Sequence, residues 1–348
     1  MKLPVDFDQI ENAASHLLSG GLVAFPTETV YGLGADAENP EAIAAIYAAK
    51  GRPANHPVIV HLAPDARLDY WACDIPDIAW ALTEAFWPGP LTLILRRAPH
   101  VPDAVSGGQD TIGLRCPSHP VAQALLAQFA ALKGGDGGVA APSANKFGQV
   151  SPTTAQHVHD GFPEFDASQL MVLDGGPSAV GIESTILDLS RVGDGQAPVL
   201  LRPGHISPKD IADVIGIMPS QEAGADAPRV SGSLKAHYAP HTPLNVISSS
   251  ALALLLSQPA DGLRRAILGF GDVPVTEMSV QWFKASGKAA TYAHDLYARL
   301  HEMDALGVDL ILLEEPPQTP AWQAVNDRIG RAAAAFKRPD SASTDQVD

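Results

Sequence analysis

The chain is predicted to be an α/β protein, and three observations predict it. Short apolar runs of strand length alternate with stretches of helical period along most of the sequence. Several of these runs end in small polar residues and glycine, the composition of strand ends that face ligands in α/β sheets. The 348 residues are long for one domain and comfortable for two, and the last third carries a plain strand–helix–strand pattern of its own.

The elements follow in order. Residues 10–19 have the spacing of a short amphipathic helix. The strand Leu22-Val23-Ala24-Phe25 then runs into Pro26-Thr27-Glu28-Thr29-Val30-Tyr31-Gly32-Leu33-Gly34. Residues 40–50 read as a helix capped by Asn39, with Pro40 in its first turn. A strand at 58–62 and a helix at 77–86 come next. Trp87-Pro88-Gly89-Pro90 breaks the chain before a strand at 91–95. Residues 111–115 form a strand, 120–129 a helix, and 139–141 a short strand leading into Pro142-Ser143-Ala144-Asn145. Further strands are expected at 171–173, 184–189 and 199–202. A helix at 208–215 precedes an irregular stretch that ends in Ser231-Gly232-Ser233-Leu234-Lys235-Ala236-His237-Tyr238-Ala239-Pro240, either a linker or a functional lid. Strands at 244–247, 265–269 and 308–313 then alternate with helices at 251–257, 288–306 and 321–337, a βαβ arrangement with a parallel sheet. The expected division is 8–204, a linker at 205–243, a small domain at 244–338 and a disordered tail at 339–348.

Composition narrows the function. At 46% hydrophobic and 18% charged, with 30 Gly and 30 Pro, the chain is globular and rich in loops. A net charge of −16 argues against non-specific nucleic-acid binding, though not against a local basic groove. The two cysteines, Cys73 and Cys116, have no metal spacing and fit a reducing compartment. No signal pattern or membrane-length apolar run occurs, so a cytoplasmic protein without membrane contact is expected.

The polar motifs are each weak alone. Gly32-Leu33-Gly34-Ala35-Asp36-Ala37 has the letters of a dinucleotide fingerprint but not its strand–helix context. No Walker-type phosphate loop occurs. Lys50 and Arg52 suit a phosphate or carboxylate, or else a solvated helix end. Arg115, ending an apolar strand, needs an anion, structural or ligand. Ser143 and Asn145 follow a strand, Ser151 reads as a helix cap, and Ser184 lies in Gly181-Ile182-Glu183-Ser184-Thr185 beside another strand. His157 and His159 read as exposed on a helix. His237 and His241 have helical metal spacing that Pro240 disrupts. Cys116 reads as a small buried residue. No Ser-His-Asp pattern appears.

The ordered set is far more specific than its members. PTETVYGLGADA, KGRP with VIVHL, WPGPLTLIL, GLR, APSAN, SPT, GIESTI, LRPG and HYAP together resemble the YrdC-like family, in the long two-domain form of L-threonylcarbamoyladenylate synthase. The resemblance implies a twisted mixed sheet with helices around a polar groove, plus a smaller Rossmann-like domain. It implies condensation of L-threonine, bicarbonate and ATP into threonylcarbamoyl-AMP with release of pyrophosphate. Mg²⁺ would travel with ATP, and no protein metal site is implied. A downstream tRNA threonylcarbamoyl transferase complex would take the product, and direct tRNA contact is left open. Thr29, His61, Arg115 and Ser184 fall at threonine positions of the family. Lys50, Arg52, Thr111, Ser143, Asn145, Ser151, Arg202 and Tyr238 fall at nucleotide and phosphate positions, with Lys50 and Arg52 expected to be catalytic. His56 stands before Pro57, at a nucleotide position where many relatives carry Asn. Two other readings are a carbamoyl-transfer enzyme of related fold, against which the cysteine count argues, and a non-catalytic RNA-binding module, against which the acidic charge argues.

Overall fold

The computed structural model describes residues 6–224, 226–259, 261–272 and 279–337. The expected disordered tail, 339–348, lies outside them. Among the described residues no helix is long and apolar enough to cross a membrane.

Two sheets organise the chain. The larger contains β1 (Leu22–Phe25), β2 (Gly32–Asp36), β3 (Ile59–His61), β4 (Ala72–Cys73), β5 (Leu91–Arg97), β6 (Thr111–Arg115), β7 (Val139–Ala140), β8 (Leu170–Val172), β9 (Thr185–Asp188) and β10 (Val199–Arg202). Their order is β10-β9-β5-β6-β3-β7-β2-β1-β8, with β4 paired to β5. The sheet is mixed: β3 runs parallel to β6 and β5 to β9, whereas β1–β2, β2–β7 and β5–β6 are antiparallel. The smaller sheet joins β11 (Leu244–Ile247), β12 (Arg265–Gly269), β13 (Val280–Lys284) and β14 (Leu310–Glu314) in the order β11-β14-β12-β13, all parallel.

Successive strand side chains point to opposite faces, and β1 shows the consequence. Leu22 and Ala24 pack with Ile43, Ile46 and Leu82 on one face. Val23 and Phe25 pack with Leu17, Leu125 and Phe129 on the other. Helices therefore cover both faces, which is why these strands read as unbroken apolar runs. The smaller domain repeats the plan, with Ala266 and Leu268 on one face of β12 and Ile267 on the other. Val30, Val150, Ile182 and Tyr238 share a cluster with Leu296, Tyr297 and Val325, so the two domains share part of one core.

The structure corrects the expected elements at particular places. Residues 32–36, the start of the rejected dinucleotide fingerprint and not expected as a strand, form β2. A Cβ on Gly34 would lie 2.8 Å from both the Phe25 ring and the Val139 side chain. Its glycine serves close sheet packing, not a turn. Strands β4 and β13 are also additions. The expected helix over 321–337 begins as a 3-10 turn, Pro320–Trp322, and is α-helical over Gln323–Ala334.

Candidate active site

A cleft opens at the ends of β1, β3, β6 and β9, holding about 620 Å³ of atom-free space with its mouth included. Residues 228–240 cross it as a strap and join the two domains.

Local sequence sets each wall. At the end of β1, the Thr27 hydroxyl accepts from the backbone N–H groups of Thr29 and Val30 and donates to the Val30 carbonyl. This hydroxyl-closed turn presents Thr29 to the cleft. The parallel register of β3 and β6 sets His61 beside Arg115. The helix Pro40–Lys50 is started by Asn39, which accepts from the N–H groups of Glu41 and Ala42, and ends at Gly51 with φ 64°. A left-handed residue there suits glycine, and the reversal leaves Lys50 and Arg52 both lining the cleft.

Lys50 is not a solvated helix end. It is 3% exposed, and Nζ donates to the carbonyls of Ser143 and Asn145 at 2.6 and 2.5 Å. Burial, then Arg52 and Lys146, pushes its pKa well below the usual lysine range. Arg52 donates to the Pro57 carbonyl and to Ser231 Oγ of the strap. Burial lowers its pKa to about 10, which keeps it charged near neutrality. Arg202 donates from Nε and Nη2 to the carbonyl and hydroxyl of Ser184, and from Nη1 to the Ser231 carbonyl of the strap. The Ser184 hydroxyl also shares a 2.7 Å hydrogen bond with Thr92.

Arg115 has a structural anion. Nη2 lies 2.6 Å from Glu28 Oε1, both side chains being buried. The atoms sit off hydrogen-bonding angle, so the contact is an ion pair rather than a directed bond. Nη1 donates to Thr29 Oγ1 and Nε to the Gly89 carbonyl. Of its five N–H groups, two are hydrogen-bonded; one on Nη1 and both on Nη2 make no hydrogen bond among the described residues, Nη2 being the nitrogen that faces Glu28. Of the two anions left open for Arg115, structural or ligand, the structure supplies the structural one, and the guanidinium is already held by Glu28 and Thr29.

Several buried polar atoms around the cleft have no hydrogen-bond partner among the described residues: His61 Nδ1, Arg52 Nε, Asn145 Oδ1, His237 Nδ1 and Tyr238 Oη. Such groups are costly unless something else satisfies them. Burial, with Arg115 adding, drives His61 down to about 3, and burial drives His237 down to about 3. Both rings are therefore neutral near pH 7 and can bond a ligand without carrying charge. A wider cleft of about 1690 Å³ lies between the domains, lined by Lys146, His157, His241, His301 and Asp304. There the polar groups satisfy one another: His241 with Asp304, Lys146 with Glu164, His301 with the Ser151 carbonyl. Asn145 Oδ1, shared by both clefts, is its one orphan among the described residues. The smaller cleft is the chemical one.

The cleft brings together Thr29, Lys50, Arg52, His61, Arg115, Ser143, Asn145, Ser184, Arg202 and Tyr238. It does not include His56, Thr111 or Ser151. His56 packs edge-on against Phe147, which itself lines the cleft. Thr111 sits in an adjoining crevice with Val58, Gln109 and Val230. Ser151 is fully buried and donates to Glu183 Oε1 at 2.6 Å. Glu183, Thr27, Ser231, Gly232 and His237 line the cleft without having been singled out for it. The Glu183 carboxylate inside Gly181-Ile182-Glu183-Ser184-Thr185 was the available signal. His157 is half-buried rather than exposed, stacked on His301 at 4.0 Å. Burial raises the Cys116 thiol to about 12, an inert group at neutral pH.

Comparisons with known proteins agree with this architecture. A family model described as "Telomere recombination" matches residues 15–204, and one described as "Threonylcarbamoyl-AMP synthase, C-terminal domain" matches residues 206–334. The chain is 36% identical to the threonylcarbamoyl-AMP synthase of Pyrococcus abyssi, covering 93% of this chain and 94% of that one. It is 38% identical to that of Bacillus subtilis, covering 95% of each. A crystal structure of P. abyssi Sua5 complexed with L-threonine superposes with a TM-score of 0.81 at 34% identity, covering 96% of both chains. With two matched domains in sequence, and the same two-sheet fold around one polar cleft, the chain belongs to the threonylcarbamoyl-AMP synthase family.

Proposed function

We propose that this protein condenses L-threonine, bicarbonate and ATP into threonylcarbamoyl-AMP and pyrophosphate in the cytoplasm. The product would pass to a transferase complex that modifies adenosine in tRNA. The observation that carries the reading is one buried cleft holding separate cations, neutral imidazoles and orphaned acceptors, with no activated nucleophile. The threonine amine attacks the carbon of bicarbonate and water leaves, giving a carbamate. A carbamate oxygen then attacks the α-phosphorus, the bond to the β-phosphate oxygen breaks, and pyrophosphate departs. Such a displacement needs alignment and charge stabilisation rather than a covalent intermediate.

Lys50 and Arg52 are assigned to the phosphates, with Arg202 as a third cation and Ser143 and Asn145 as positioning groups. Lys50 Nζ is already fixed by two carbonyls, and the ATP phosphates would oppose the burial effect and favour its charged form, so that it stabilises developing charge without reorganising. Thr29, His61, Arg115 and Ser184 are assigned to threonine. Mg²⁺ is assigned to the ATP substrate, because the carboxylates near the cleft are already engaged. Glu183 accepts from Ser151, Tyr297 and Arg328, and Glu28 is taken by Arg115 and the Ser118 N–H. Both carboxylates already face buried guanidinium groups, Arg328 and Arg115, which disfavours a cation beside them. Three of the cations, Lys50, Arg115 and Arg202, are 3–4% exposed. Cations that deep cannot track a nucleic-acid backbone, which favours catalysis over an RNA-binding role.

Pyrophosphate release is expected only with ATP, threonine and bicarbonate together. Serine should support it less well, since a missing methyl in a pocket is worth roughly 1–3 kcal/mol. Equal rates with threonine, serine and glycine would defeat the assignment.

The strap is the second element of this reading. Tyr238 is 1% exposed, with φ 64°, an uncommon left-handed backbone for a bulky residue. A Cβ on Gly232 would lie 2.1 Å from Tyr238 Oη, so only glycine lets the strap close over the phenol. We assign it the role of a lid that keeps water from the adenylate. Residues 228–243 should gain protection from protease when ATP and threonine are added, and Tyr238→Ala should hydrolyse the adenylate faster. Protection that ignores ligands, with turnover unaffected by Tyr238→Ala, would make the residue a packing group only.

A further inference from the structure

The helix Gln323–Ala334 of the C-terminal domain reaches the wall of the cleft. Arg328, whose side chain is wholly buried, donates from Nε to Glu183 Oε2 at 2.7 Å. Tyr297 donates to the same oxygen at 2.9 Å. The Arg328 guanidinium lies 5.5 Å from the centroid of the Tyr238 ring, in cation–π range. Asp327 bridges Arg328 and Arg331 at 2.7 and 3.0 Å. Arg331 in turn holds the strap, donating from Nη1 to the Leu234 carbonyl and accepting from the His237 N–H on its own carbonyl. One helix thus fixes a carboxylate of the cleft and the strap above it. Residue 184, next to that carboxylate, is the one Arg202 grips.

We infer that the C-terminal domain takes part in the reaction through Arg328, a positioning residue that, with Tyr297, holds Glu183 and Tyr238 against the substrates. The inference rests on the function proposed above. Stability alone does not explain the arrangement, because well-packed apolar residues usually serve a buried site at least as well as an ion pair. The electrostatics add support. Burial pushes Glu183 up, but Arg328, then Arg202 and the Ser151 hydroxyl, pull it down to about 2. Tyr297, Tyr238 and His237 are the other titratable groups facing it. Without Arg328 the burial effect is less opposed and the Glu183 pKa rises toward the working range.

The test uses full-length protein and three variants: Arg328→Met, Arg328→Lys, and the double variant Glu183→Gln with Arg328→Met. Melting temperature, KM for ATP and threonine, and kcat for pyrophosphate release are measured from pH 5 to 8. A wild type that releases no pyrophosphate with threonine and bicarbonate defeats the function, separately from this inference. With an active wild type, Arg328→Met should lower kcat about tenfold or more, the scale of a lost charge-assisted hydrogen bond. It should also gain an acidic limb that the wild type lacks, and Arg328→Lys should restore part of the rate. The double variant has no orphaned charge, so it should melt near the wild type yet keep a low kcat that is flat with pH. A double variant with wild-type kcat overturns the inference. So does an Arg328→Met kcat that falls only with the folded fraction, its pH profile unchanged.

Discussion

Arg115→Ala is expected to lower the stability of the fold by about 3–5 kcal/mol, the usual cost of leaving one member of a buried ion pair alone. Glu28 and Arg115 face each other at 2.6 Å with both side chains almost inaccessible. Removing the guanidinium strands the carboxylate with the Ser118 N–H as its remaining partner, and deprives Thr29 Oγ1 of a donor. Stability should return in large part when Glu28→Gln is combined with Arg115→Met, since that pair carries no net buried charge. Threonine binding should not return, because the turn that presents Thr29 still lacks its anchor. Urea unfolding and isothermal titration with threonine separate the two effects. Wild-type stability and threonine affinity in Arg115→Ala would show that the pair matters to neither.

Lys50→Met should cost turnover more than any other single change in the cleft, about 10²–10³-fold, the scale of removing one preorganised donor from a developing charge. Methionine keeps the length of the stem but leaves the carbonyls of Ser143 and Asn145 without the ammonium they share. Orphaning buried acceptors costs roughly 1–3 kcal/mol, so some loss of stability should accompany the loss of rate. Arg52→Ala should be milder, about tenfold or more, and should appear chiefly as weaker ATP binding. Pyrophosphate release and ATP titration on the two variants check both. A Lys50→Met enzyme with near-normal kcat would move the phosphates elsewhere in the cleft.

Elements that end on local signals were legible in the sequence. The helix Pro40–Lys50 has the expected bounds because Asn39, Pro40 and Gly51 act within one turn of its ends. Thr111–Arg115 and Asp77–Phe86 likewise match, each an apolar segment between breakers. Strand β2 was hidden because its glycines answer to Phe25 and Val139, contacts that spacing does not reveal. The same division holds for the site. Thr29, Lys50, Arg115, Ser143 and Ser184 each sit at the end of an element, where composition alone marks them. Glu183, Ser231 and His237 take their places through partners far along the chain, such as Arg328 for Glu183 and Arg52 for Ser231. Thr111 and Ser151 show the reverse: Thr111 lies on the expected strand yet opens to an adjoining crevice, and Ser151 caps no helix, the next one being capped by Thr154, but points back at Glu183.

The most direct measurement mixes the purified protein with ATP, Mg²⁺, L-threonine and bicarbonate and analyses the products by mass spectrometry. The account predicts threonylcarbamoyl-AMP and an equivalent of pyrophosphate, both absent when any one of ATP, threonine or bicarbonate is withheld. Pyrophosphate or AMP formed equally without threonine, or no adenylate with all substrates present, would contradict it.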